Sequence, residues 1–443
     1  FELSDRVGGT AKGGRTHDPH HANTRYPWGA HYLPVPNRET ECIVRLCREM
    51  GLISGTSSAP SFDSGNLVHA PEDRLFYRGF WQDTLYLSSG ANDDDLKQRD
   101  RFAELIASWT HATGQDGRPA FALPAALSST DPQITALDSI TADAWMLRQG
   151  FTSPRLRWYC NYAVLDDYGA DLSRVSAWSL LHYFAGRRPL ETPETEGTHY
   201  FTWPEGNEHL IEWLATQVPE TKANHLVLRA NPEGELLVWD HKNQRAIRYN
   251  AEYVVVAVPN HVAAYLVQSR TRFADHSPWL VANIMLKKRP PSTPPGWNHV
   301  LYEGRSQGYI DAMHQSFQPS PSTVWTWYQP MPVESRRLLY SSDWKMLCGL
   351  PLAELKPAHG DIRSLVQRID VMRWGHGTVI PKPGLIHGDK RLRASQPLGK
   401  LRFAHTDYSG LPLFEEANYR GVRAAEDILE TMGVRHERWA THP

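Results

Sequence analysis

Two short stretches, one at each end of the chain, hold residue types that could handle a nucleotide. Near the start, Glu2 lies in Phe1-Glu2-Leu3, which reads as the end of a strand, and the turn Arg6-Val7-Gly8-Gly9-Thr10 follows. A carboxylate at a strand tip can accept hydrogen bonds from ribose hydroxyls, and paired glycines let the backbone approach a pyrophosphate with no Cβ in the way. By themselves these residues fit a surface hairpin equally well. In a dinucleotide-binding βαβ unit the G-x-G-x-x-G turn lies ~20 residues before the acidic residue. No such turn in a strand–turn–helix setting occurs in this chain, so its place would precede Phe1, and the chain reads as a fragment or a processed form.

Near the other end, Phe403-Ala404-His405-Thr406-Asp407 reads as a strand finishing in a carboxylate, and Ser409-Gly410-Leu411-Pro412 as a turn. The helix that follows carries Ala417, Gly421, Ala424 and Ala425 on one face, which would let it pack closely against a sheet or a ring system. Its first N–H groups and its dipole could stabilise negative charge on a bound cofactor. The alternative is an ordinary amphipathic terminal helix.

Other constellations point less sharply. His17, His20, His21 and His31 suggest metal binding, but Asp18-Pro19 intervenes so that no helical i,i+4 pair forms, and a solvated loop is the simpler reading. Arg373-Trp374-Gly375-His376-Gly377 could line a cofactor edge or pack in a core. The aromatic stretch from Trp178 to Phe184, with His182 and Tyr183, reads first as core packing. There is no Ser-His-Asp order with a nucleophile elbow. The four cysteines, Cys42, Cys47, Cys160 and Cys348, lack Cys-x-x-Cys spacing and read as buried thiols.

The elements that must position these residues follow from periodicity. Arg38 to Met50 has helical spacing and stops at Gly51; Asn92-Asp93-Asp94-Asp95 caps a helix running through Phe102, Leu105 and Ile106; a further helical pattern covers Ile134 to Gln149. Strand signal is sparse until about residue 220. From there Leu226-Val227-Leu228 and Leu236-Leu237-Val238-Trp239 flank the hairpin turn Asn231-Pro232-Glu233-Gly234. Ala251 to Val258 reads as a strand buried on both faces, Trp279 to Leu286 and Thr323 to Tyr328 as further strands, Leu401 to Ala404 as a strand, and Ala417 to Met432 as a helix closed by Gly433.

Composition bounds what such a molecule does. Of 443 residues 41% are hydrophobic and 22% charged, enough to bury a core, which excludes disordered, collagen-like and coiled-coil chains. With 47 Lys plus Arg against 49 Asp plus Glu, the net charge of -2 argues against a nucleic-acid surface. The apolar run from Val254 to Val258 is far shorter than the ~20 residues of a transmembrane helix. No transmembrane segment is expected, and the chain reads as a soluble globular protein.

Four motifs in order resemble those of the flavin-containing amine oxidase superfamily, the broad group with monoamine oxidases and phytoene desaturases. Glu2, Arg6, Val7, Gly8 and Gly9 resemble its opening fingerprint, Trp203 to Leu210 its glycine turn into a helix, Ala251 to Pro259 its middle strand, and Phe403 to Ala425 its closing signature. Three departures stand out: Thr10 where an Arg is common, Tyr419-Arg420-Gly421 for Ser-Gly, and Asn283 roughly where amine oxidases place a strand Lys, with Lys287 and Lys288 only at the strand's end.

The resemblance implies an α/β protein. A discontinuous Rossmann-like FAD-binding domain would comprise 1–60, 200–265 and 375–443 and lack its first βα unit. An inserted substrate domain of helices and an antiparallel sheet would comprise 61–199 and 266–374. The implied cofactor is FAD and the implied partner a small-molecule substrate. Glu2 would bind the adenosine ribose, Gly8 and Gly9 line the phosphate and ribityl path, and the backbone at Val227 approach the adenine. Asp407 would hold ribityl or pyrophosphate groups, Glu416 and Ala417 would open the helix against the ring's C2 carbonyl, and Gly29, Ala30 and His31 would pass the ring face. The implied activity is hydride transfer from an organic amine or C–H bond to flavin N5, with no catalytic residue named. A truncated or non-catalytic binding module is the alternative.

Overall fold

The strand His276–Leu286 is the spine of the structure, and all eleven of its residues are buried. This follows from the two-residue period of a strand, because here both sets of alternating side chains are covered. Leu280, Ala282, Ile284 and Leu286 face Leu339, Leu347, Leu352 and Leu355 of the helices Arg336–Ser341 and Trp344–Leu355. Val281 and Met285 face the opposite way, toward Tyr328 and toward Tyr26 respectively. The structure is a computed structural model that describes residues 1–16, 24–316 and 322–440.

Around that spine lies a seven-stranded sheet in the order Val366–Val379, His276–Leu286, Thr323–Pro330, Tyr309–Asp311, Asn298–Leu301, Asp73–Tyr77, Phe80–Gln82. Its pairs are antiparallel except where Asn298–Leu301 runs parallel to Asp73–Tyr77, so the sheet is mixed. The hairpin 73–82 and a second one at 53–62 occupy a stretch whose sequence carries little strand signal. These short strands take their stability from the partner they lie against, which local propensity does not register.

A helical lobe flanks the sheet. Asn92 caps the helix Asp93–His111 as expected, and by a capping box: its side chain accepts from the Asp95 amide at 2.9 Å, and Asp95 accepts from the Asn92 amide at 3.2 Å. Ser153 caps Pro154–Tyr168, which ends on Gly169 at φ 66°, and Ala177–Ala185 packs across it. Phe121, Trp178 and Leu181 fill the space between them at 0% exposure. His182 belongs to this core, its Nε2 donating to the Ala122 carbonyl at 2.9 Å, and burial pushes its imidazole down to about 4.

Smaller sheets complete the fold. His225–Ala230, Glu235–Asp240 and Arg245–Asn250 form a meander turning at Asn231 and Gly234, as its turn residues require. Val254–Val256 pairs in parallel with Leu401–Phe403. The run expected to be buried on both faces is only three residues long as a strand, and Val255 is 43% exposed. Phe1-Glu2-Leu3 is irregular and not a strand, although Glu2 bonds both ways to the chain leading into the meander, through Lys222 O at 2.9 Å and His225 N at 2.8 Å. The helix Phe414–Thr431 closes the chain, followed by Gly433 at φ 71°. Among the described residues no helix is long and apolar enough to cross a membrane.

Candidate functional site

The glycine turn and the Gly29 segment meet directly. Gly8 has φ 132°, Gly9 φ 55°, and the turn they form delivers the Thr10 carbonyl to the Ala30 amide at 3.0 Å. A Cβ on Gly29 would lie 2.2 Å from that same carbonyl oxygen, so only glycine fits there. The turn at Gly206, φ 64°, closes the third side, where the Asn207 amide donates to Ala30 O at 3.0 Å. Thus Gly8, Gly9, Gly29, Ala30 and His31 form one continuous surface.

Six consecutive carbonyls of that segment are each held by a donor from elsewhere. Asn283 Nδ2 donates to Pro27 O, Trp374 Nε1 to Trp28 O, Tyr328 OH to Gly29 O, Asn207 N to Ala30 O, Thr202 Oγ1 to His31 O, and Asn207 Nδ2 to Tyr32 O. Such a chain of bonds makes irregular backbone rigid and leaves no buried acceptor unpaired. Asn283 therefore has a job of its own: Thr326 Oγ1 orients its amide at 2.7 Å, and its Nδ2 pins the segment at 3.0 Å. Lys287 and Lys288 are exposed beyond the strand and take no part.

A small aromatic cavity opens beside this surface. His31, Tyr32, Tyr183, Tyr200, Trp297 and Tyr328 line it, together with the carboxylates of Asp73 and Asp166. The His31 ring stacks on Tyr328 at 4.7 Å between centroids, and burial pushes its imidazole down to about 3, so it is neutral. Burial, reinforced by the neighbouring Asp167, raises the Asp166 carboxyl to about 7; burial, with Glu72 beside it, raises Asp73 to about 6. Tyr32 OH donates to Asp167 at 3.1 Å, and Asp167 is paired with Arg187 at 2.7 Å. Asn298 Nδ2 donates to Asp73 at 2.8 Å.

The terminal helix reaches the same neighbourhood. Glu415 and Glu416, in its first turn, are 4% and 0% exposed. Burial raises Glu415 to about 7 against the opposing pull of Arg187, the same guanidinium that pairs with Asp167. Glu416 accepts from the Ala125 amide at 2.6 Å and feels Arg420 and Arg391, while Ala417 follows one residue into the helix. The cavity and its rim thus hold several carboxylates around one buried Arg. With its π faces and acidic charge, this space suits a compact organic cation.

The remaining expected residues cluster on the meander side. Val227 pairs with Val238 and packs in a cluster with Phe403 and Tyr408. Asp407, next to Tyr408, is completely buried; its Oδ2 accepts from the Asn260 amide at 2.6 Å and from His276 Nε2 at 2.9 Å. Burial would raise this carboxyl, but His405 and His276 outweigh it and hold it far below the usual range. Oδ1 makes no hydrogen bond and faces only His405 Nδ1 at 3.1 Å. The Glu2 carboxylate turns back to accept from the Ser4 amide at 2.8 Å.

Sequence reasoning missed Asp73, Asp166 and the cavity tyrosines other than Tyr183, whose aromatic stretch it read first as core packing. The one signal was Asp166-Asp167 inside an aromatic-rich helix, two acids where a helix should be burying apolar residues. It also missed Asn260 and His276, which hold Asp407. His17, His20 and His21 lie outside the described residues, and among the described residues no cluster could hold a metal ion. Cys42, Cys47 and Cys160 are buried and all four thiols are free.

Two observations leave room for a flavin cofactor: a buried carboxylate oxygen of Asp407 makes no hydrogen bond, and exposed Gly9 has nothing within 4 Å of where its Cβ would stand. No protein-family model matches the chain, and no curated protein matches it significantly. Solved structures do. Wild-type putrescine oxidase bound to putrescine is 14% identical with a TM-score of 0.67, over 97% of this chain and 92% of that one. Cyclohexylamine oxidase from Brevibacterium oxydans IH-35A is 16% identical with a TM-score of 0.65, over 98% and 93%. A putative protoporphyrinogen oxidase from Exiguobacterium sp. 255-15 is 14% identical with a TM-score of 0.57, over 97% and 91%. The chain has the fold shared by these flavin-dependent amine oxidases and their oxidoreductase relatives.

Proposed function

We propose that this protein is an FAD-dependent oxidoreductase that oxidises a small organic amine. The observation that carries the reading is the aromatic cavity beside Gly29–His31, with two carboxylates whose affinity for protons is raised. Bound FAD would supply the two-electron acceptor, the electron pair arriving as one hydride at N5. Glu2 and Val227 would serve the adenosine half, Gly8 and Gly9 the phosphate and ribityl path, and Asp407 Oδ1 a ribityl or pyrophosphate group. Gly29, Ala30 and His31 would floor the ring, with Glu416 and Ala417 at the helix end beside it. In this reading 1–60, 200–265 and 375–443 form the cofactor domain, and 61–199 and 266–374 the substrate domain.

The protein's own residues would do three things. Tyrosine faces bind and orient the alkylammonium ion, and the close-packed rings exclude water. Asp166 pairs with the ammonium group and takes its proton at a carboxylate oxygen, a transfer its position near pH 7 favours. Neutral His31 adds no positive charge to repel the substrate.

The test is anaerobic mixing of the flavin-loaded protein with a panel of primary and secondary amines and their matching alcohols. Loss of the oxidised flavin absorbance with amines alone is expected. Reduction by the alcohols alone, or by no amine in the panel, would refute the reading.

A further inference from the structure

The corner between the helices Arg336–Ser341 and Trp344–Leu355 breaks the usual pattern of a protein surface. Within nine residues it exposes Leu338 at 50%, Tyr340 at 52%, Trp344 at 67% and Met346 at 48%. Their neighbours Leu339 and Leu347 are buried at 0% and 3% and anchor the corner to the sheet, so it is a rigid feature. Clustered exposed apolar side chains mark a contact surface.

The charges around the corner say what that contact is. Arg336, Arg337, Lys345 and Arg373 surround it; Arg373 Nη1 donates to Tyr340 O at 3.0 Å, and Lys345 lies 5.8 Å from the Trp344 ring. The nearby acids are already engaged: Glu334 pairs with Arg174 at 2.8 Å, and Asp343 caps its helix through the Met346 amide at 2.8 Å. Among the described residues, Arg337, Lys345 and Arg373 form no ion pair. An open groove lined by Val333, Arg336, Arg337 and Tyr340 runs alongside. Trp and Tyr prefer the boundary between lipid tails and headgroups, and Lys and Arg seek anionic headgroups while their stems stay in apolar surroundings.

We propose that this corner docks the protein onto an anionic phospholipid surface. Leu338, Tyr340, Trp344 and Met346 enter the headgroup layer, and Arg337, Lys345 and Arg373 meet the lipid phosphates, while Arg336 is held by the Gly375 and His276 carbonyls. The chain lies on the bilayer by this face, since none of its described helices can span one. The inference rests on surface chemistry and is independent of the proposed reaction.

The experiment is co-sedimentation of the full chain with vesicles of phosphatidylserine and phosphatidylcholine, against vesicles of phosphatidylcholine alone, at low and high salt. Binding to the anionic vesicles that falls with salt is expected. Trp344→Ser should weaken partitioning about tenfold, and Arg337→Gln with Lys345→Gln by roughly thirtyfold, while thermal melting confirms that both variants stay folded. Equal binding by wild type and the variants would overturn the proposal. So would a failure to bind vesicles accompanied by self-association that Trp344→Ser abolishes, which would assign the face to a second copy of the chain.

Discussion

Asp166 carries opposing demands that give it a distinctive signature. Its carboxyl is raised by burial and by Asp167 to about 7, from an ordinary value of 3.8. The folded state therefore holds a proton that the unfolded state has lost, and stability from this group falls as pH rises from about 4 through 7. Asp166→Asn removes that slope, so the variant should melt higher than wild type at pH 8, by up to about 4 kcal/mol, with little difference near pH 4. Melting curves across pH read this directly. The same substitution should weaken amine binding in the ionised range, raising KM for amine by about tenfold or more. A variant that is stabilised at pH 8 but binds amine unchanged would detach Asp166 from the substrate.

Asn283 acts differently, since it touches backbone on one side and a hydroxyl on the other. Asn283→Ala leaves Thr326 Oγ1 and Pro27 O buried without a partner, at a cost of about 2 kcal/mol. The expected result is a lower melting temperature together with weaker flavin retention, because Pro27 begins the row of six anchored carbonyls. Normal retention in a destabilised variant would confine Asn283 to a structural role.

At the scale of elements, the terminal helix is fastened by charge. Glu416 sits between the 125–127 turn, whose Ala125 amide it accepts, and the guanidiniums of Arg391 and Arg420. Arg391 in turn donates to Ile386 O and Tyr408 O, so one buried network links the helix to the segment carrying Asp407. Glu416→Leu removes the acceptor of the Ala125 amide and a buried charge that acts on both guanidiniums through space, a loss on the order of 3 kcal/mol. Chemical denaturation should record a loss of that size, larger than the loss for Asn283→Ala. A smaller loss would mean that water reaches the arginines.

Over the whole molecule, cofactor and fold should be linked by mass action. A ligand that binds only the folded state at 100 times its Kd adds about 2.7 kcal/mol, or ~3–5 °C in melting temperature for a chain of this size. Thermal scans with and without added FAD should show that rise, and the aromatic cavity should become more protected from hydrogen exchange. The exposed Val255 face and the short parallel pair of Val254–Val256 with Leu401–Phe403 locate where the gain belongs, since two strands alone are marginal. A rise confined to the helical lobe would contradict this placement.

What the sequence by itself determined is local. The capping box at Asn92, the hairpin at Asn231–Gly234, the helix end at Gly433 and the glycine turn at Gly8–Gly9 each arise from residues a few positions apart, whose backbone preferences act before anything else packs. The tertiary structure alone decided that Asn283 should hold a carbonyl 256 residues away, that Asp73 and Asp166 should share one aromatic cavity, and that Arg187 should answer both Asp167 and Glu415. Burial made those carboxylates chemically unusual. Burial is a property of what surrounds a side chain, and no spacing along the chain encodes it.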